Sequence, residues 1–162
     1  MKVVTNSTPL IELSKINRLE LLREVYDSIY IPEEVYTEVV VNGVGKPGAA
    51  EVEAAGWIFC QSVTSKDQVF ILHNQTLIDL GECGTIVLAQ EIRADRIIID
   101  DRVARQVAMT KGLSVIGTVG VLRVAKAQRI IPTVKPILDA LRSHGTRISD
   151  RLYYQTLATE RE

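Results

Sequence analysis

Aromatic residues make up only 5% of this 162-residue chain, with a single Trp, and cysteine and histidine occur twice each. Cys60 and Cys83 have no motif spacing, which argues against a disulfide scaffold or a cysteine-based metal site and leaves them as ordinary intracellular thiols. His73 and His144 lack metal-ligand spacing as well, so each reads as a plain surface or core residue. No stretch approaches the roughly 20 unbroken apolar residues of a membrane span. The opening MKVVTNST goes straight into structure without a secretory apolar region or cleavage site. The expectation is a cytoplasmic protein with no membrane segment. Repeats, linkers and low-complexity runs are also missing, so the length suits one domain with a single sizeable core. Two mechanistic motifs are absent. GVGKPG (43–48) resembles a phosphate loop, but Pro47 follows Lys46 where Ser or Thr is required, and the glycine spacing is wrong. There is no GxSxG nucleophile elbow.

Aliphatic residues greatly outnumber the aromatics, a bias that suits buried parallel strands and the helices covering them. Strand signals fall near Lys2–Thr5, Ser28–Ile31, Trp57–Val63, Arg96–Asp100 and Ser114–Ile116. Helical patterns lie between them. Thr8 and Pro9 predict a hydroxyl cap with proline at the first helical position, and Pro32-Glu33-Glu34 predicts a second helix begun the same way. Further helices are expected at Ala49–Ala55, Lys66–Leu80, GECGTIVLAQEI (81–92), Val103–Lys111, Val119–Ala127 and Val134–Ser143. A terminal helix opens at a Ser149/Asp150 cap. Alternating strands and helices predict an α/β fold, a mostly parallel sheet with helices on both faces.

Net charge is −1, yet its distribution is uneven. Residues 102–151 hold ten Lys or Arg against two Asp or Glu, and the rest of the chain is correspondingly acidic. Such a separation points to an acidic partner such as nucleic acid, or simply to solvated basic helix faces.

The carboxylates carry the chemistry. Asp100 and Asp101 stand where an apolar strand ends and a helix begins. One can cap that helix, but a pair exceeds what a cap requires. Glu82 sits in the first turn of its helix, four residues before Ile86, and points to the buried side; a favourable charge at a helix N-terminus is its ordinary role. Gly81 and Gly84 beside it allow a close approach of backbone or ligand. Glu38 flanks the apolar seam of the helix after Pro32, sharing a face with Glu34. Glu38, Glu82 and the Asp pair can converge at one end of a parallel sheet, near Asn6. Clustered oxygens of this kind suit Mg²⁺ or Mn²⁺. A phospho-accepting receiver domain, which also has an Asp pair, would place that pair after the first strand, which excludes it here.

The stretches VVTNSTPLIELSKINRLELL, IYIPEEVYTEVV, GKPGAAEVEAAGWI, DLGECGTIVLAQE, RIIIDDRVARQVA and GLSVIGTVGVLRVAK resemble, in order and over nearly the whole chain, the PIN-domain superfamily. The resemblance is to its small prokaryotic branch related to VapC-type toxins of toxin–antitoxin systems. It implies a three-layer α/β/α sandwich of about five strands, Rossmann-like, over residues 1–145. Residues 146–162 would form a C-terminal helix packed on or extending from it. It further implies an acidic pocket that binds Mg²⁺ or Mn²⁺ and cleaves RNA, a homodimer, and inhibition by a small antitoxin. Position by position, the first metal acid falls on Asn6, the second on Glu38, the third on Glu82 and the last on Asp100 or Asp101. Ser7 or Thr8 supplies the hydroxyl that follows the first acid. Asn6 departs from the pattern: its amide oxygen can coordinate or hold a water but brings no charge, so weaker Mg²⁺ binding is expected. The alternative function is a non-catalytic module that binds RNA or a protein partner. Arg102, Arg105, Arg123 and Lys126 are the candidates for contacting a nucleic-acid backbone, each with solvent-exposed charge as its ordinary role.

Overall fold

A computed structural model describes residues 1–162. Five strands, β1 (Val3–Thr5), β2 (Ile29–Pro32), β3 (Ile58–Gln61), β4 (Arg96–Ile98) and β5 (Val115–Ile116), form one sheet in the order β3-β2-β1-β4-β5. Every pairing is parallel, with Thr5 beside Ile98 and Pro32 beside Gln61. Parallel neighbours need crossover connections, and the intervening sequence supplies them as helices.

The connecting helices are α1 (Ser7–Lys15), α2 (Glu20–Tyr26), α3 (Glu33–Tyr36), α4 (Ala49–Ala54), α5 (Lys66–Thr76), α6 (Leu80–Glu91) and α7 (Arg102–Thr110), and after the last strand come α8 (Thr118–Ala127), α9 (Lys135–Ser143) and α10 (Asp150–Thr159). Side chains alternate across each strand. Val3, Ile29, Ile31 and Ile98 therefore pack on one face with α1 to α4, while Val4, Ile97 and Ile99 pack on the other with α5, α6 and α7. The result is the three-layer α/β/α sandwich with all five strands parallel. A third cluster joins Leu21 of α2 to Leu122, Leu138, Leu141, Tyr153 and Leu157, which fixes the 146–162 segment onto α8 and α9.

Element boundaries differ from the sequence reading where a cap was misassigned. The first helix begins at Ser7, with Asn6 at its N-cap, so Pro9 sits in the interior of the first turn. That is tolerated because the first four N–H groups have no intrahelical partner. Pro32 closes β2 and is the N-cap of α3, not its first helical residue. The helix expected over Lys66–Leu80 divides: α5 stops at Thr76, and Leu77 turns left-handed at φ 61° before α6 starts at Leu80. The third strand is four residues long, shorter than Trp57–Val63. Beyond α3 the backbone widens into a π-helical turn over Thr37–Val41 that carries Glu38, a type of turn that often marks functional positions.

No helix is long and apolar enough to cross a membrane.

Candidate metal and nucleic-acid site

In an open parallel sheet, ligands bind beyond the carboxyl ends of the strands where the strand order reverses. Here that point lies between β1 and β4. Asn6 leaves β1 with its N–H bonded to the Ile98 carbonyl at 3.1 Å, so Asn6 and the Asp pair emerge side by side. The N-termini of α1, α6, α7 and α8 open at the same edge, because each follows a strand or loop arriving there.

Local capping fixes most of the carboxylates. Asp79 is the N-cap of α6: its Oδ1 accepts from the Glu82 N–H at 2.8 Å, and Glu82 Oε2 accepts from the Asp79 N–H at 3.2 Å. Asp101 caps α7, with Oδ2 accepting from the Ala104 N–H at 2.9 Å. Asp100 turns the other way, onto α8, accepting from the Thr118 N–H at 2.8 Å and from Thr118 Oγ1 at 2.6 Å. Both Asp100 oxygens are thus engaged, and Asp101 is the member of the pair whose charge acts on Glu82. Glu38 is exposed and held by Ser7, whose Oγ donates to Glu38 Oε2 at 2.7 Å.

Gly81 marks the centre. A Cβ there would lie 3.0 Å from Glu38 Oε2, 3.4 Å from Asp79 Oδ1 and 3.8 Å from Asn6 Oδ1. Glu82 is 8% exposed. Burial first, then the charges of Asp79, Asp101 and Glu38, push its carboxyl up to about 7, against the partial relief of the Asp79 N–H. No Lys or Arg forms an ion pair with Glu38, Asp79, Glu82, Asp100 or Asp101. Asn6 is 4% exposed, and its side chain makes no capping bond to α1.

The oxygens divide between two clefts. One, of about 660 Å³, is lined by Glu33, Glu34, Glu38, Asp79, Gly81 and His73. The other, of about 710 Å³, is lined by Glu82, Asp100 and Asp101 together with Thr8 and Arg102. As arranged, no three His, Cys, Asp or Glu side chains close around one point that would hold a metal ion. The chemistry of the donor set nevertheless fits a hard divalent cation: every donor is an oxygen, the charges are uncompensated, and such ions bind through one or two carboxylates while keeping several waters.

The expected nucleic-acid contacts fare unequally. Thr8 and Arg102 are exposed at the second cleft. Ser7 is 3% exposed and donates its hydroxyl proton to Glu38. Arg105 is half-buried and donates to the Ile99 carbonyl at 3.0 Å. Arg123 and Lys126 are held by the C-terminal carboxylates, Arg123 by Glu160 and Lys126 by Glu162, each at 2.7 Å. They brace α10 and lie outside both clefts.

Three cleft residues were not among the expected site residues. Asp79 was masked by the helix expected over Lys66–Leu80, although Asp79 followed by Glu82 is the D-x-x-E signature of a capping box. His73 lines the first cleft, its Nδ1 hydrogen-bonded with the Ile78 carbonyl at 2.6 Å. Glu34 presses a buried, unpartnered Oε2 against Gly84, where a Cβ would stand 2.7 Å away. The glycine at position 84 signals a close approach there, but nothing in the local sequence names Glu34 as the partner.

A doubly wound parallel sheet with carboxylates gathered at its switch point defines an α/β protein with an acidic site at the carboxyl edge of the sheet. A family model, DUF3368: PIN domain, matches residues 2–162, and the chain belongs to this PIN-domain family. No curated protein sequence matches the chain.

Proposed function

We propose that the chain is a Mg²⁺- or Mn²⁺-dependent ribonuclease that hydrolyses RNA phosphodiesters, a toxin or toxin relative paired with a small antitoxin. The observation that carries this reading is the set of oxygens around Gly81, with Glu82 raised to about 7 and no cationic side chain to compensate. Buried charge without a partner is costly, and a divalent cation is the partner that an oxygen-only set selects.

Glu38, Glu82 and Asp101 would hold the ion, with Asn6 Oδ1 as a neutral oxygen beside them. When bound, the ion supplies Lewis-acid stabilisation of charge developing on phosphate and makes water more acidic. The protein does the rest. Ser7 orients Glu38 through its hydrogen bond. The Asp79–Glu82 pair fixes the start of α6, and Asp101 fixes the start of α7. Those two N-termini present the positive ends of their helices to an entering phosphate.

Asn6 favours one other reading, a PIN-like module that binds RNA or a protein partner without cutting, because the missing charge weakens ion binding. Incubating the protein with mixed RNA and Mn²⁺ separates the two. Cleavage that disappears in Glu82→Ala supports the nuclease. A silent wild type with cleavage appearing in Asn6→Asp supports the disabled module.

A further inference from the structure

The two clefts at the carboxyl edge are electrostatically unlike. The first has no Lys or Arg in its lining, whereas the second adds Arg102 and Arg147 to its carboxylates. A polyanion is repelled from the first and can be held in the second. Arg102 lies in the first turn of α7, and Arg147 lies in the loop joining α9 to α10, and both line the second cleft.

Arg147 is free because its surroundings have already been neutralised. The acids near it in the chain and across the loop are occupied: Asp150 by Arg142, and Glu12 by Lys15 and by the hydroxyl of Thr146. Arg147 itself has no ion pair and no side-chain hydrogen bond. Its neighbours are pinned. The Thr146 N–H bonds the Leu141 carbonyl at 3.0 Å, its hydroxyl bonds Glu12 on α1, and Ile148 is 8% exposed in the third core cluster. An exposed guanidinium on a backbone fixed at both adjacent residues is an anion contact whose backbone is already ordered, so that only its side-chain rotamers remain to be fixed on binding.

Resting on the nuclease reading above, we propose that Arg147 is a substrate-binding residue and that single-stranded RNA occupies the second cleft with a backbone phosphate between Arg147 and Arg102. Two exposed guanidiniums attract the strand, while the carboxylates of the same cleft repel its phosphate from themselves. Val119 and Leu152 add an apolar wall to the same cleft, and Leu152 is 42% exposed. Such a wall serves an unstacked base, which only a single strand offers.

The test is fluorescence anisotropy of a short, unpaired, fluorescein-labelled RNA with the full-length protein in EDTA, over a range of NaCl concentrations. Cleavage of the same RNA in Mn²⁺ is followed in parallel. Arg147→Ala should weaken binding about tenfold and lower the slope of log K against log salt by roughly one. Arg147→Lys should restore part of the loss. Lys111→Ala, at the far end of α7, should match wild type. Wild type that binds while Arg147→Ala binds equally well, with the same slope, overturns the proposal and leaves the nuclease reading standing. Arg147-dependent binding without cleavage in Mn²⁺ or Mg²⁺ supports the proposal and overturns the nuclease reading. Wild type that binds no RNA in EDTA overturns the proposal, and the nuclease reading falls with it only if the RNA is also left uncut in Mn²⁺.

Discussion

Asp79 and Glu82 cap each other across the first turn of α6, each backbone N–H meeting the other's carboxylate. The exchange holds two negative side chains together at a half-buried site, so Glu82 is fixed in place at the expense of its own ionisation. Its carboxyl stands at about 7, above the roughly 4.3 of an unfolded chain.

A raised carboxyl pKa means that the folded state binds the proton more tightly. The stability this contributes is complete below the unfolded value and is lost as pH rises through about 7. Glu82→Gln removes the charge while keeping an oxygen for the Asp79 N–H. In EDTA, urea denaturation should show the variant more stable than wild type at pH 8, by on the order of 3 kcal/mol at most. The two should converge near pH 4.5. A constant offset across that range would show that the Glu82 charge is not repelled by its neighbours.

Asp100 and Asp101 should separate into a structural and an ionic residue. Asp100→Ala strands the Thr118 hydroxyl, in a residue that is 4% exposed, and should cost about 2 kcal/mol. Asp101→Ala loses one helix cap, about 1 kcal/mol. The rise in melting temperature on adding Mn²⁺ should survive in Asp100→Asn and shrink in Asp101→Asn. The reverse pattern would exchange their roles.

Gly81→Ala tests the centre directly. The methyl would stand 3.0 Å from Glu38 Oε2, close enough to push that carboxylate aside. Alanine is the better helix former by about 1 kcal/mol, so stability should change little. Mn²⁺ response and RNA cleavage should fall together, by at least tenfold in the cleavage rate. Retained cleavage would place the reacting phosphate away from Gly81.

The layering and the position of the site were legible in the sequence because both follow from periodicity. A short apolar run such as Ile97–Ile99, β-branched and bounded by polar residues, reads as a strand buried on both faces, and the polar residues at its end reach the carboxyl edge. Asp79 was hidden for a different reason. Reading 66–80 as one helix placed it inside a helix, where its capping role could not be seen. The fates of Arg123 and Lys126 lie beyond any local pattern, since Glu160 and Glu162 meet them across more than 30 residues of chain.

Deleting Glu160–Glu162 should therefore have two opposite effects. It removes the Arg123 and Lys126 ion pairs and the Glu162 carboxylate that accepts from the Val134 and Lys135 N–H groups at 3.0 Å. Melting temperature should drop. Two freed basic side chains should also raise RNA affinity at low salt, with a steeper salt dependence. A lower melting temperature without any gain in affinity would show that this face lies outside the path of the RNA.

Asn6→Asp asks how much a charge at position 6 would matter. The new carboxylate would be nearly buried, within reach of Glu38 and Asp79 and with no cation beside it. In EDTA at pH 8 the variant should melt below wild type, because like charges in a buried site repel. Added Mn²⁺ should reverse the order. An ion that gains a charged ligand binds more tightly, and a tenfold gain in affinity is worth about 1.4 kcal/mol of added stability at saturating metal. Differential scanning fluorimetry over a Mn²⁺ series reads both effects in one experiment. Equal Mn²⁺ shifts in the two proteins would mean that position 6 does not face the ion. The strand-to-helix corner would then be a structural joint, and Glu38, Glu82 and Asp101 would have to hold the ion without it.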